Sequence, residues 1–474
     1  MMDLQRIAAV TNGKLLGDNV TVHGVTTDSR QECTERLFVA LQGPNFDGHD
    51  YLHQAHQAGA QAALVSHEVV ELVCGLSQVV VDDTLSALAV TARQWRNDYR
   101  IPVVAVTGSA GKTTVKELLG AVLSVDAVGV VTKGNLNNEI GVPLTLTRLK
   151  AKHCFAVIEM GMSNLGEIER LSVMAEPTIA IINNAAPAHL EGLGSLAAVA
   201  TAKGEIVSGL ADDGVLIINQ DDEFFDYWRD LAGGRKIVGF GLQSQADVRC
   251  EYRYENGRAV LDVRYFDEQF VLNLPLLGKH NVMNALAVIA AAREIGLTAE
   301  NIQAGFDGYQ PLSNRSGVIQ LGQLTLIDDS YNANPASMQA AIDLMLIEQE
   351  QRQQLLQQTV RTVLVLGDMA ELGEQAAQLH CQVGRYAADK VDQLMLVGAY
   401  ADDYAVGFDH ADKIAEKFQQ RDSLAMALLK SIKQDNSPVV ILVKGSRSAA
   451  MEEVVKKIQT ALLDKTEEHS VETQ

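Results

Sequence analysis

Residues 103–114, VVAVTGSAGKTT, constrain the fold of this chain more than any other stretch. An apolar run, Val103 to Val106, leads directly into a glycine-rich turn, and Thr113 to Ser124 then follows with helical spacing. That order predicts a buried strand, a tight turn and a helix whose N-terminus faces the turn. Glycine lets the backbone approach a phosphate closely, and backbone N–H groups at a helix start favour negative charge. The predicted phosphate-binding residues are therefore Gly108, Ser109, Ala110, Gly111, Lys112, Thr113 and Thr114. Lys112 can neutralise β/γ-phosphate charge, and the Thr113 hydroxyl can ligate Mg²⁺. The loop is shorter than the usual phosphate loop, because Val106 stands where the first glycine would be.

Short apolar runs alternate with helical patterns on both sides of this motif. Phe155 to Ile158, Ile179 to Ile182 and Gly214 to Asn219 read as further strands. Such alternation predicts a parallel sheet covered on both faces. Residues 244–274 change character, with tyrosines and β-branched residues flanking Asn256-Gly257, and predict antiparallel hairpins. At 474 residues the chain is long enough for about three domains. The expected α/β architecture has a small N-terminal α/β domain (1–84), a central mononucleotide-binding parallel-sheet domain with a hairpin addition (85–313), and a Rossmann-like C-terminal domain (314–474). The Gln-rich stretch from Glu348 to Gln358 is expected to be a helix end plus a loop insertion, and a helix is expected from Ala449 to Leu462.

Charge narrows the partners. The chain carries 60 acidic against 39 basic residues, a net −21, which argues against nucleic acid and against a polybasic membrane contact. The five cysteines, Cys33, Cys74, Cys154, Cys250 and Cys381, form no Cys-x-x-Cys pair, so free thiols are expected. No basic-then-apolar leader opens the sequence, and the longest apolar run, Ala285 to Ala292, is far short of a membrane span. A soluble, monomeric cytoplasmic protein without a membrane anchor is expected.

Polar clusters collect at strand ends, where ligands bind in open α/β sheets. Glu159 ends one strand and reads as a possible Mg²⁺ ligand or as a capping carboxylate. His189 lies in the loop after another strand, and Lys203 lies on a helix; taken alone, both fit exposed positions. Residues 132–143 are rich in amides, including Asn135, Asn137 and Asn138, which suits either phosphate cradling or a turn. Asp328-Asp329-Ser330-Tyr331-Asn332-Ala333-Asn334-Pro335 follows the first strand of the third region and reads as a site. Lys444 and Arg447 precede the predicted helix at 449, where cations oppose the helix dipole unless an anion is present.

Together these strings resemble the Mur ligase family of peptidoglycan synthesis. The likeness runs through TTDSR (26–30), LFVALQGPNFDGHDY (37–51), TGSAGKTT, GNLNNEIGVP (134–143), AHLEGLGS (188–195) and AKGEI (202–206). It continues through GKHNVMNALA (278–287), DDSYNANP (328–335), GDMAELG (367–373) and LVKGSRSAAMEEV (442–454). The resemblance implies an ADP-forming, ATP-dependent ligase that joins D-alanyl-D-alanine to UDP-MurNAc-tripeptide through an acyl phosphate. It implies Lys112 and Thr113 at the ATP phosphates and two Mg²⁺ ions held by Thr113, Glu159, His189 and a Lys203 carbamylated by CO₂. Lys112, Glu159, His189 and Lys203 would thus be the catalytic set. Asn281, Asn284, Arg315, Tyr331 and Asn332 would contact the adenine nucleotide. Thr27, Asp28, Ser29 and Arg30 would contact the uridine nucleotide, while Asn135, Asn137, Asn138, Asp329, Lys444 and Arg447 would face substrate. Where the family has Pro-Gly before the hinge arginine, this chain has Ser313-Asn314 before Arg315. The alternatives are a folylpolyglutamate synthase, which residues 1–84 argue against, and a P-loop switch NTPase, which would not need DDSYNANP.

Overall fold

The computed structural model describes residues 2–69, 75–243, 245–311, 314–315, 317–409, 413–435 and 437–471. Cys74 and Ser313 therefore lie outside the described residues. Three α/β layers each carry their own sheet. The first sheet has five strands in the order 14–16, 77–80, 62–65, 36–39, 24–26, all parallel except the first pair.

The central sheet has nine strands. Its parallel part runs 129–131, 155–159, 103–107, 179–182, 215–219, 236–240, and strand Val248–Glu255 continues it. From there the sheet turns antiparallel through Arg258–Tyr265 and Glu268–Leu274. Asn256 and Gly257 take φ of 51° and 74°, the paired left-handed conformation of a two-residue hairpin turn. Along Val103–Thr107, Val103 and Ala105 join one apolar cluster and Val104 and Val106 the other. Both faces are covered, which is why the strand reads as an unbroken apolar run. This strand is flanked by the strands Phe155–Glu159 and Ile179–Ile182. The chain order reverses there, and a crevice opens at the carboxyl ends of those strands.

The third sheet runs 317–321, 324–329, 439–444, 361–366, 393–397, 414–418, with only its first pair antiparallel. In this register Asp329 and Lys444, the last residues of neighbouring strands, stand side by side. Among the described residues no helix is long and apolar enough to cross a membrane.

Two expectations are corrected. The Gln-rich stretch is no loop insertion: the helix Pro335–Leu356 runs through it and ends at Gln357 with φ 53°. Gln and Glu are good helix formers, and Gln349 and Arg352 tie the helix to Val360 and Gly322 carbonyls. The last helix begins at Glu452, not Ala449, because Ala450 adopts a left-handed φ of 48° after a short 3-10 turn.

Candidate active site

Gly111 caps the helix Lys112–Leu123 with φ 79°, so the phosphate loop turns where only glycine is comfortable. A Cβ there would lie 2.2 Å from Asn284 Oδ1 and 2.5 Å from Asn183 Nδ2. Gly111→Ala is therefore expected to destabilise the fold by about 1–3 kcal/mol and to weaken ADP binding. Thermal unfolding and an ADP titration check this. The loop is held from behind by Asn183 and Asn184, whose amides both donate to the Ala110 carbonyl, at 2.9 and 3.1 Å. Asn184 Oδ1 accepts the Ala110 N–H, and Asn183 also donates to Asn284. Sequence reasoning missed Asn183 and Asn184; their place just past the strand Ile179–Ile182, beside the crevice, is the signal available.

Lys112 donates to the Gly108 carbonyl at 2.6 Å. Burial lowers its pKa, with Glu159 opposing that shift and Arg315 adding to it. Thr113 Oγ1 donates to Glu159 Oε2, and Asn137 Nδ2 donates to Glu159 Oε1, both at 2.8 Å. Glu159 is thus a buried carboxylate aimed at the phosphate loop, not a solvated cap. Lys116 is buried behind it, 4.0 Å from Glu159 Oε2, and donates to the Thr132 carbonyl. Sequence reasoning missed this buried cation. Asn138 turns its own loop by accepting from Ile140 and Gly141 N–H groups, and with Asn135 it lines the cavity.

His189 also lines the cavity and stands in a left-handed conformation, φ 56°, ahead of a single helical turn. Its Nδ1 lies 2.5 Å from Glu371 Oε2 of the third layer, a close contact without the linear geometry of a hydrogen bond. Lys203 is the largest departure from the residue-by-residue reading. It is 2% exposed on the helix Leu196–Gly204, rather than solvated. Burial pushes its amine well below the ordinary lysine range; the Lys112 charge adds to that, and Asp222 opposes it.

The third layer closes the cavity. The Arg315 guanidinium lies over the Tyr331 ring, 3.9 Å from its centroid. Before it, Asn314 adopts φ 66° and accepts the Tyr331 N–H at 3.1 Å. Asparagine tolerates the left-handed region better than other side-chain-bearing residues, so it can occupy a backbone position that also suits glycine. Asn334 Nδ2 reaches the Ser109 carbonyl at 3.4 Å. Lys444 pairs with Asp329 and donates to the Asn332 carbonyl at 2.9 Å. His280, also missed, lines the cavity, with its pKa lowered by burial to about 4.

One cavity of about 790 Å³ is lined by Ser109 to Thr114, Asn135, Asn137, Asn138, Glu159, His189, Asn281, Asn284, Arg315, Asp329, Tyr331, Asn332 and Lys444. Gly108 and Lys203 are not part of this lining: Gly108 accepts from Lys112, and Lys203 is buried where the Lys112 charge acts on it. Two further expected groups are not brought there. Arg447 is exposed, pairs with Glu452 at 2.7 Å and does not line the cavity. Its anion is that glutamate, supplied because the helix starts later than expected. Thr27, Asp28, Ser29 and Arg30 lie at the end of strand Gly24–Thr26 in the first layer, away from the cavity lining. There Arg30 grips both Asp28 oxygens and holds that carboxyl down at about 2, while Ser29 donates to Gln54.

A phosphate loop at the crevice of a parallel sheet, faced by a charged pair from a second α/β layer, defines a nucleotide-dependent enzyme that closes on its substrates. Family comparison agrees along the chain. The Mur ligase family catalytic-domain model matches residues 21–96, the Mur ligase middle-domain model 106–292, and the Mur ligase glutamate-ligase-domain model 314–447. UDP-N-acetylmuramoyl-tripeptide–D-alanyl-D-alanine ligase of Escherichia coli K12 is 40% identical over 96% of this chain and 98% of its own. The enzyme of the same name from Bacillus subtilis is 35% identical over the same shares. A crystal structure of MurF from Acinetobacter baumannii superposes with a TM-score of 0.86 at 33% identity, covering 95% of this chain and 97% of that one. MurF ligase from Thermotoga maritima, solved in complex with ADP, gives 0.80 at 25% identity over 94% and 99%. The chain belongs to the Mur ligase family.

Proposed function

We propose that this chain joins D-alanyl-D-alanine to UDP-N-acetylmuramoyl-tripeptide at the expense of ATP, forming the pentapeptide precursor of peptidoglycan. One observation carries the reading. The phosphate loop and the Asp329–Lys444 pair of a different layer line one cavity, as a ligase bringing ATP to a peptide requires. Residues 1–84 serve the UDP-linked substrate through Thr27 to Arg30, residues 85–313 bind ATP, and residues 314–474 form the closing ligase domain. Asn281 and Asn284 contact the nucleotide from the helix Lys279–Ile295, and the Arg315–Tyr331 stack closes on it. Asn135, Asn137, Asn138, Asp329 and Lys444 face the peptide. The nucleotide substrates place the work in the cytoplasm, and we take the chain to act as a monomer.

The carboxylate of the tripeptide attacks the γ-phosphorus, ADP leaves, and an acyl phosphate results. The dipeptide amine then attacks the acyl carbon, and phosphate departs with one former carboxylate oxygen. Lys112 opposes charge on the transferring group, and the closed layers exclude water, which would hydrolyse the acyl phosphate. Mg²⁺ would add charge neutralisation at the phosphates. Thr113 and Glu159 fit one ion, being a hydroxyl and a buried carboxylate already in contact. Among the described residues no ready-made cluster of three or more His, Cys, Asp and Glu groups exists for a metal. A second ion at His189 therefore needs another anion, and Lys203 can supply it. Burial disfavours the charged form of this amine, and the free amine would attack CO₂, form an N–C bond and lose a proton, leaving a carbamate.

Labelling both terminal carboxylate oxygens of the tripeptide with ¹⁸O tests the chemistry. Each phosphate released should carry one ¹⁸O. Phosphate without label would overturn the acyl-phosphate route.

A further inference from the structure

We propose that Glu371 is a positioning residue that couples docking of the third domain to the metal position at His189. The proposal rests on the reading of His189 as a metal ligand. An imidazole ligates through one nitrogen, and a carboxylate held against the other nitrogen favours the tautomer that carries its proton there. Here Glu371 Oε2 stands 2.5 Å from His189 Nδ1, which leaves Nε2 as the ligating atom.

The two residues come from different domains. His189 follows the central strand Ile179–Ile182, whereas Glu371 lies in the loop after strand Arg361–Leu366 of the third sheet. That loop is anchored within its own domain. Asp368 accepts the N–H groups of Ala399 and Tyr400, and the Met369 N–H donates to His380. Glu371 must therefore travel with the third domain. A backbone bond from Glu191 N–H to the Glu371 carbonyl, 3.2 Å, bridges the same boundary.

Backbone conformation supplies an independent observation. His189 and Glu371 are both non-glycine residues in the left-handed region, with φ of 56° and 61°. Such conformations persist where surrounding structure enforces them, and they cluster at functional sites. Two of them facing each other across a domain boundary mark a contact the fold is built to make. The Glu371 side chain is 54% exposed, so packing does not account for its placement.

The test is Mn²⁺ binding to the full chain with β,γ-methylene-ATP, followed by electron paramagnetic resonance of the free ion. Glu371→Gln removes the charge at constant size. Glu371→Asn withdraws the carboxylate while suiting the left-handed backbone, so its melting temperature should not fall. Both variants should weaken one of two Mn²⁺ sites by about tenfold or more and leave the other unchanged. His189→Ala should weaken that same site. If His189→Ala weakens it while both Glu371 variants bind like the parent, the positioning role is wrong and the His189 ligand stands. If His189→Ala changes neither site, the ligand reading falls and the proposal with it.

Discussion

Lys112→Ala lowers turnover at saturating ATP by about three orders of magnitude or more, with the fold intact. The magnitude follows from where the amine sits. It is half-buried, donates to the Gly108 carbonyl at 2.6 Å and faces the cavity at the mouth of the phosphate loop. A cation in such a place interacts with a transferring phosphoryl group far more strongly than one in bulk solvent. Folding does not depend on it. Lys112 opens a helix, alanine is the best helix former, and the substitution removes a group whose charge burial disfavours. The assay is phosphate release at saturating ATP beside a melting curve. Near-parental turnover would remove Lys112 from the chemistry, and a collapsed melting temperature would recast it as structural.

Lys203→Ala is the second large effect. The variant should be inactive, and millimolar formate or acetate should restore part of the rate. Lys203 is fully buried on a helix of small residues, so alanine leaves a space that a short carboxylate can enter. No ordinary surface lysine would be rescued by an anion, because there the missing group is a cation. Rescue thus separates a carboxylate made from lysine from a lysine that merely packs. Full activity of the variant without added acid would contradict the carbamate.

These two lysines also show what the sequence carried and what it did not. Lys112 was legible because a strand, a glycine turn and a helix start must be contiguous for phosphate to bind, so the site is local. The hairpin at Asn256-Gly257 was legible for the same reason. Lys203 was not. Its helix, LAAVATAKG, is small and apolar around most of its surface, so no periodic face tells buried from exposed positions. Glu159 stayed ambiguous until Thr113 and Asn137 were seen to grip its two oxygens. The Asp329–Lys444 and His189–Glu371 contacts join residues far apart in the chain, through strand register in one case and domain docking in the other. Arg447 was misplaced for a local reason: the helix start was read at Ala449, but Ala450 turns left-handed and delays it to Glu452. The edge strand Ile414–Phe418 pairs on one side only, and its sequence, IAEKF, lacks the continuous apolar run that marks the central strands.

Net charge sharpens the same picture. At −21 the surface repels both nucleotide substrates, so capture must be local, through Lys112, Lys444, Mg²⁺ and helix starts rather than a global field. Phosphate release from ATP, measured with neither, one or both of UDP-MurNAc-tripeptide and D-alanyl-D-alanine, tests the central claim most directly. Sustained release should require both substrates, with one phosphate per pentapeptide formed. Release at the full rate with neither substrate present would contradict it.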